Sequence, residues 1–114
     1  MADCLFCKIL AGEIPSTVVL ETETAFAFRD IAPTAPTHVL VIPRRHIDNA
    51  GVLTREDAET LSDVFAAAQE VARLEGIAES GYRLIFNVGE DAQNSVPHLH
   101  LHVIGGRSLG WPPG

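Results

Sequence analysis

Pro97-His98-Leu99-His100-Leu101-His102-Val103-Ile104 decides how the rest of the chain has to fold. Three of the five histidines fall in it, each two positions from the next. That is the period of a strand, in which residues two apart share a face. The spacing predicts a strand over Leu99 to Ile104, with His98, His100 and His102 along one face. Leu99, Leu101 and Val103 would form the other. The apolar face requires a core, and the imidazole face requires a cleft. Three imidazoles in a row are costly away from water, because charging one opposes charging its neighbours. Such a row points to chemistry rather than packing.

Working outward, Gly89 to Pro97 is a polar loop that runs straight into the histidines. Ser95 brings a hydroxyl, Asn94 an amide, and Gly89 allows close backbone approach. Donors of this kind suit a phosphoryl or acyl transition state, where charge develops on oxygen. In one reading, an imidazole attacks phosphorus and its neighbours position the phosphoryl group. In another, the three histidines hold a metal, as three-histidine zinc sites do. Cα atoms two apart on a strand stand about 6.5–7 Å apart, so three-fold convergence needs a twist or a ligand from elsewhere.

Tyr82 to Val88 reads as the strand before that loop. Thr54-Arg55-Glu56-Asp57 resembles a capping box. Behind it Leu61, Val64, Phe65, Ala68, Val71 and Ala72 recur at helical spacing as far as Gly76. His38 to Ile42 is a continuous apolar run, the pattern of a central strand. Thr17 to Glu21 and Ala25 to Arg29 form a hairpin about a polar turn. Asp30 to Pro36, broken by two prolines, is irregular, and its amides suit ligand contacts. Leu5 to Leu10 is a short helix with Asp3 as N-cap and Gly12 as terminator. Five strands with one long helix inserted predict a single α+β domain over residues 1–114 with an antiparallel sheet. Gly105 to Gly114 is its glycine- and proline-rich tail.

A net charge of −7 argues against nucleic acid and anionic membranes as partners. No apolar run approaches the roughly 20 residues that span a bilayer. The first residues lack a basic region and a long apolar region, so the cytoplasm is the expected compartment and thiols stay reduced. Cys4-x-x-Cys7 is then a metal pair, a redox pair or two free thiols; its spacing does not choose among them.

His98-Leu99-His100-Leu101-His102-Val103-Ile104 resembles the His-φ-His-φ-His-φ-φ motif (φ apolar) of the histidine triad family of nucleotide hydrolases and transferases. Phe6-Cys7-Lys8-Ile9, Asp30-Ile31-Ala32-Pro33, the run Pro36 to His46, Gly105-Gly106-Arg107 and Gly110 to Gly114 are similar to its Hint branch. The resemblance implies a two-fold homodimer that hydrolyses purine nucleoside 5′-phosphoramidates or related adenylates, with no cofactor needed for catalysis. His100 would be the nucleophile, forming a nucleotidyl-histidine. His102 would hold a phosphate oxygen, His38 would be an outlying fourth histidine, and Ser95 would donate toward the leaving nitrogen. Asn87, with Asn94 beside Ser95, would contact the phosphate or leaving group, and Asp30 the ribose hydroxyls. Asp30 has a competing role as an Asx turn before Pro33. Leu5, Phe6, Ile9, Ile14 and Ile31 would line the purine slot. Relatives that begin Cys-x-x-Cys use it for structural zinc, which implies Cys4, Cys7, His46 and His98 as ligands.

The chain also departs from the pattern. Asp91-Ala92-Gln93-Asn94 stands where the branch tends to have glycines and a Gln, and Arg29 stands where it has a histidine. Two alternatives remain within reach: a dinucleoside polyphosphate hydrolase, and a nucleotide-binding or interaction module with vestigial hydrolysis. Arg44-Arg45 reads as a solvated strand end, and Arg107 either reaches phosphate or faces solvent. Trp111 sits in the tail and needs a surface to cover, on its own subunit or on a partner.

Overall fold

The computed structural model describes residues 4–114. Helix α1 spans Leu5–Leu10, and strands β1 (Val18–Glu21), β2 (Ala25–Arg29) and β3 (Thr37–Pro43) follow. Short 3₁₀ turns at Ala50–Val52 and Arg55–Asp57 lead into the long helix α2, Ala58–Leu74. Strands β4 (Tyr82–Ile85) and β5 (Leu101–Gly105) complete an antiparallel five-stranded sheet of order β1-β2-β3-β5-β4. No helix among the described residues is long and apolar enough to cross a membrane.

Strand alternation sorts the core into two halves. Ala25, Ala27, Val39, Val41, Leu101 and Val103 pack under Val64, Ala67, Ala68, Val71 and Ala72 of α2. Phe26, Phe28, Leu40 and Ile42 point the other way and pack against Phe6 and Ile9 of α1. β3 is buried along its whole length, as its unbroken apolar run requires. Thr54 and Asp57 form the capping box, and the turn that they cap feeds α2. Gly12 and Gly76, at φ 78° and 73°, take the left-handed conformation that ends each helix. The N-cap of α1 is Cys4, whose Sγ accepts the Cys7 N–H at 3.4 Å. Asp3 lies outside the described residues.

Two expected boundaries move, and both moves shape the site. β4 stops at Ile85, so Phe86, Asn87 and Val88 belong to the loop. β5 begins at Leu101, not Leu99, so His98 and His100 precede the strand. The cause lies in the register. Val41 pairs with Leu101, which sets Pro43 opposite position 99. A proline has no N–H to extend the ladder. The chain turns instead: Leu99 N–H donates to the Ile47 carbonyl at 2.6 Å, and His98 Nε2–H donates to the Pro43 carbonyl at 3.0 Å. The single row of three equivalent histidines on one strand face is therefore not what forms.

Candidate active site and cysteine–histidine cluster

Leaving the ladder separates the histidines. His98 is fully buried, and its Nδ1 lies 3.4 Å from Cys4 Sγ and 3.5 Å from Cys7 Sγ. Cys7 Sγ is also 3.4 Å from His46 Nδ1. One donor atom from each of Cys4, Cys7, His46 and His98 falls within a 4.8 Å group. A tetrahedral ion with sulfur ligands at about 2.3 Å and nitrogen ligands at about 2.05 Å needs sulfur–nitrogen edges near ~3.5 Å. The three sulfur–nitrogen separations above fit that polyhedron. Each imidazole is also held from behind: His98 Nε2–H by the Pro43 carbonyl, and His46 Nε2–H by Asp48 Oδ1 at 2.8 Å. Such outer hydrogen bonds point the opposite nitrogen at an ion. Burial, then Cys4 beside it, push the Cys7 thiol up from its ordinary value, and an ion would reverse this by binding the thiolate.

Phe6 separates this cluster from a second group. Its ring meets His98 edge-to-face at 6.0 Å and His100 at 5.1 Å. Beyond it, a cleft of about 330 Å³ opens on the α1 side of the sheet. Leu5, Phe6, Ile9, Asp30, Ile31, Asn87, Ser95, His100 and His102 line it, as do Phe28, Arg29, Leu40, Gln93 and Val96. His38 is buried behind His102. Ile14 packs against the apolar cluster beneath the cleft rather than in its wall. Asn94 is turned away from it, with Oδ1 buried and without a partner among the described residues. Gln93 takes its place, at φ 59°, a left-handed conformation that a residue other than glycine rarely adopts. Phe28 and Leu40 were within reach of sequence reasoning, since they alternate with the residues under α2.

Hydrogen bonds assign the protons. His100 Nδ1–H donates to the His98 carbonyl at 2.7 Å, so Nε2 carries the lone pair. The Thr34 backbone N–H donates to His38 Nδ1 at 3.1 Å. His38 must then hold its proton on Nε2, which donates to His102 Nδ1 at 2.9 Å and lies 3.4 Å from Asp30 Oδ2. His102 is left with a proton on Nε2, 3.4 Å from Asn87 Nδ2; two donors meet there, so this pair makes no hydrogen bond unless the amide turns its oxygen to the ring. One backbone amide thus sets two tautomers and presents an N–H donor at the cleft. Asp30 Oδ1 closes an Asx turn on Ala32 N–H at 2.8 Å, and the same residue lines the cleft.

Burial pushes His100 below the ordinary imidazole range. Burial first, and then His100 and His38, push His102 down to about 4. The unfolded chain therefore takes up a proton here between about pH 6.5 and pH 4 that the folded chain refuses, and stability falls with pH across that window. The expected loss from this group between pH 7 and pH 5 is about 2 kcal/mol. Comparing urea unfolding of wild type and His102→Gln at the two pH values checks it. Equal pH dependence in both proteins refutes it.

The remaining cations lie off the cleft. Arg44 bonds the Thr22 carbonyl and Glu21, and Arg45 pairs with Asp57. Arg107 ties the tail to the Thr34 carbonyl at 2.7 Å instead of reaching the cleft. Trp111 is 82% exposed.

A family model described as the HIT domain matches residues 11–109. The structure described as a HIT family hydrolase from Legionella pneumophila Philadelphia 1 is 50% identical, with a TM-score of 0.95, covering 98% of this chain and 100% of that one. The 14 kDa zinc-binding protein of Zea mays is 46% identical over 112 residues, 96% of this chain and 87% of that protein. A structure described as a histidine triad nucleotide-binding protein from Candida albicans is 33% identical at a TM-score of 0.82, covering 96% of this chain and 83% of that one.

Proposed function

This chain belongs to the HIT domain family, and from that membership and the cleft geometry we propose that it hydrolyses purine nucleoside 5′-phosphoramidates or related adenylates. The observation that carries the reading is the bond from His100 Nδ1 to the His98 carbonyl, 2.7 Å long. It makes Nε2 the nucleophilic nitrogen, and burial keeps the ring unprotonated. His100 Nε2 attacks the α-phosphorus, and the bond to the leaving nitrogen breaks. Ser95 delivers its proton to that nitrogen, which departs as an amine. Water then attacks the nucleotidyl-histidine, returns a proton to Ser95, and releases the nucleoside monophosphate and free His100. His102 Nε2–H stabilises the charge that builds on the phosphoryl oxygens, with its ring fixed through His38 by the Thr34 amide. Asp30 accepts from the ribose, and Leu5, Phe6, Ile9 and Ile31 hold the base.

Zinc on Cys4, Cys7, His46 and His98 supplies structure in this reading; the chemistry belongs to the chain's own imidazoles. The donor separations and the paired outer hydrogen bonds support it. A homodimer in the cytoplasm completes the proposal. Apolar residues left in solvent support the dimer: Val52 and Val88 at 56% and 46% exposure, and Trp111 in the tail.

The test is a comparison of leaving groups. An alkylamine phosphoramidate of adenosine turns over faster than a diadenosine polyphosphate; the opposite order overturns the assignment in favour of a polyphosphate hydrolase. Ser95→Ala lowers kcat about 10²-fold on the alkylamine, which needs a proton to depart. An acyl adenylate, whose carboxylate leaves without one, is little affected. Equal losses on both substrates remove Ser95 from the acid role.

A further inference from the structure

We propose that Arg107 is a positioning residue for the reaction: it grips the Thr34 carbonyl, and so holds in place the Thr34 amide that keeps the His102 proton on the nitrogen facing the cleft. This rests on the reading above, in which that proton meets the phosphoryl oxygens.

The sheet register brings the tail to the loop between β2 and β3. Gly105, the last residue of β5, pairs with Thr37, the first of β3. The chain beyond Gly105 therefore runs beside Pro36 and the residues before it. Gly106, at φ 92°, makes the approach, and a Cβ there would stand 2.9 Å from Pro36 Cβ. A larger residue would push the turn off the loop. Arg107 follows, and its fork takes two carbonyls. Nη1 donates to Ser108 at 3.0 Å, which shapes the turn, and Nη2 donates to Thr34 at 2.7 Å, which closes it onto the loop.

The loop has few other ties. Pro33 and Pro36 have no N–H to give. Its first half is held by Asp30, whose N–H bonds to the His38 carbonyl at 3.0 Å and whose side chain closes the turn on Ala32. From Pro33 to Pro36, the hydrogen bonds among the described residues all belong to Thr34. Its N–H and Oγ1 meet His38 Nδ1, and its carbonyl meets Arg107. Thr34 is exposed, so water competes for both of its backbone groups once the guanidinium is gone.

The aim of that amide decides which way two rings are protonated. With it in place, His38 Nδ1 accepts, Nε2–H donates to His102 Nδ1, and His102 Nε2–H faces the cleft. Without it, the 2.9 Å bond between the rings can run in reverse. His38 then carries its proton on Nδ1, His102 Nδ1–H donates to His38 Nε2, and His102 turns a lone pair on the phosphoryl oxygen. Asp30 Oδ2, 3.4 Å from His38 Nε2, favours the productive direction in the free protein. In the proposed complex Asp30 accepts from the ribose, which leaves the Thr34 amide as the main determinant. The dependence on Arg107 is therefore greatest with nucleotide bound.

Nitrogen-15 histidine spectra of the AMP complex read the tautomers, and kinetics on an adenosine phosphoramidate read their consequence. Wild type shows His102 protonated at Nε2. Arg107→Met keeps the aliphatic stem and removes the donors. It gives a mixture of His102 tautomers and lowers kcat about tenfold, the worth of one charge-assisted hydrogen bond, with KM within about twofold. Arg107→Lys, which still donates to a carbonyl, restores the tautomer and most of kcat. A role in folding alone would lower Tm and leave the tautomers as they are. If Arg107→Met does not fold by circular dichroism, Arg107→Gln is read instead. An unchanged His102 tautomer in the variant, or a kcat within about twofold of wild type, overturns the inference. A wild type that neither binds AMP nor turns over defeats the proposed function on its own account, and spectra of the free protein then decide whether Arg107 sets the tautomers.

Discussion

Replacing His100 with alanine lowers hydrolysis of an adenosine phosphoramidate by at least about 10⁴-fold, while AMP binding stays within a few-fold of wild type. The size follows from the role. In the proposed route the imidazole forms and then breaks the bond to phosphorus, so its loss removes both steps instead of slowing one. The selectivity for kcat follows from position. His100 sits at the phosphate end, and the base slot of Leu5, Phe6, Ile9 and Ile31 is built without it. The fold tolerates the change, because the ring is only partly buried and its one hydrogen bond goes to a neighbouring carbonyl. Rapid quenching of wild type during turnover traps one nucleotide per active site as an acid-labile adduct, and His100→Ala traps none. A variant that turns over near the wild-type rate, or an adduct that persists without His100, overturns the covalent route. His102→Ala behaves differently: the nucleophile remains and the adduct still forms, more slowly, because the donor to the phosphoryl oxygen is missing.

Much of the fold could be read from local pattern. The stripe Val64, Ala68, Val71 and Ala72 has the helical period, and the Thr54 capping box marks the approach to α2. Both signals lie within a few residues of what they specify. The expected strand ends at Val88 and Leu99 fail for the opposite reason. Alternation continues through Leu99, but a strand ends where its partner's hydrogen bonds run out, and here that partner reaches Pro43. The site shows the same division. His100 and His102 share the cleft because two-residue spacing puts neighbours together. That Cys4, Cys7, His46 and His98 converge follows from no spacing: Cys4 and His98 are 94 positions apart, and only the family resemblance joined them. Asn94 was the expected contact, but Gln93, in a left-handed conformation, lines the cleft instead, and no pattern in the loop marks that choice. The pairing of Arg29 with Glu75 joins a strand end to a helix end, and neither sequence neighbourhood announces it.

That long-range convergence makes the cluster the element on which the site's shape depends most. Stripping the metal with a strong chelator, or replacing Cys4 with serine, destabilises the domain by about 4 kcal/mol or more, a fall in Tm of roughly 15 °C. Without an ion, two thiols and the fully buried His98 face one another with no common partner, while burial opposes charging the imidazole to bind a thiolate. The damage then travels along bonds already described. α1 carries Cys7 on one side and Leu5, Phe6 and Ile9 on the other, so releasing its thiol loosens the wall of the base slot. The His98 carbonyl holds His100 Nδ1–H, so a His98 free to turn lets the nucleophile turn with it. Nucleotide affinity and kcat are expected to fall together in the stripped protein, although no step of the proposed reaction uses the metal. Elemental analysis gives one zinc per chain in the purified protein. Cobalt in its place gives the thiolate-to-metal absorption that a two-sulfur site requires and a three-histidine site lacks. A zinc content far below one per chain, or a Tm that chelation does not move, removes the metal from the account. The two thiols would then serve only as the N-cap of α1 and a half-buried neighbour of His46.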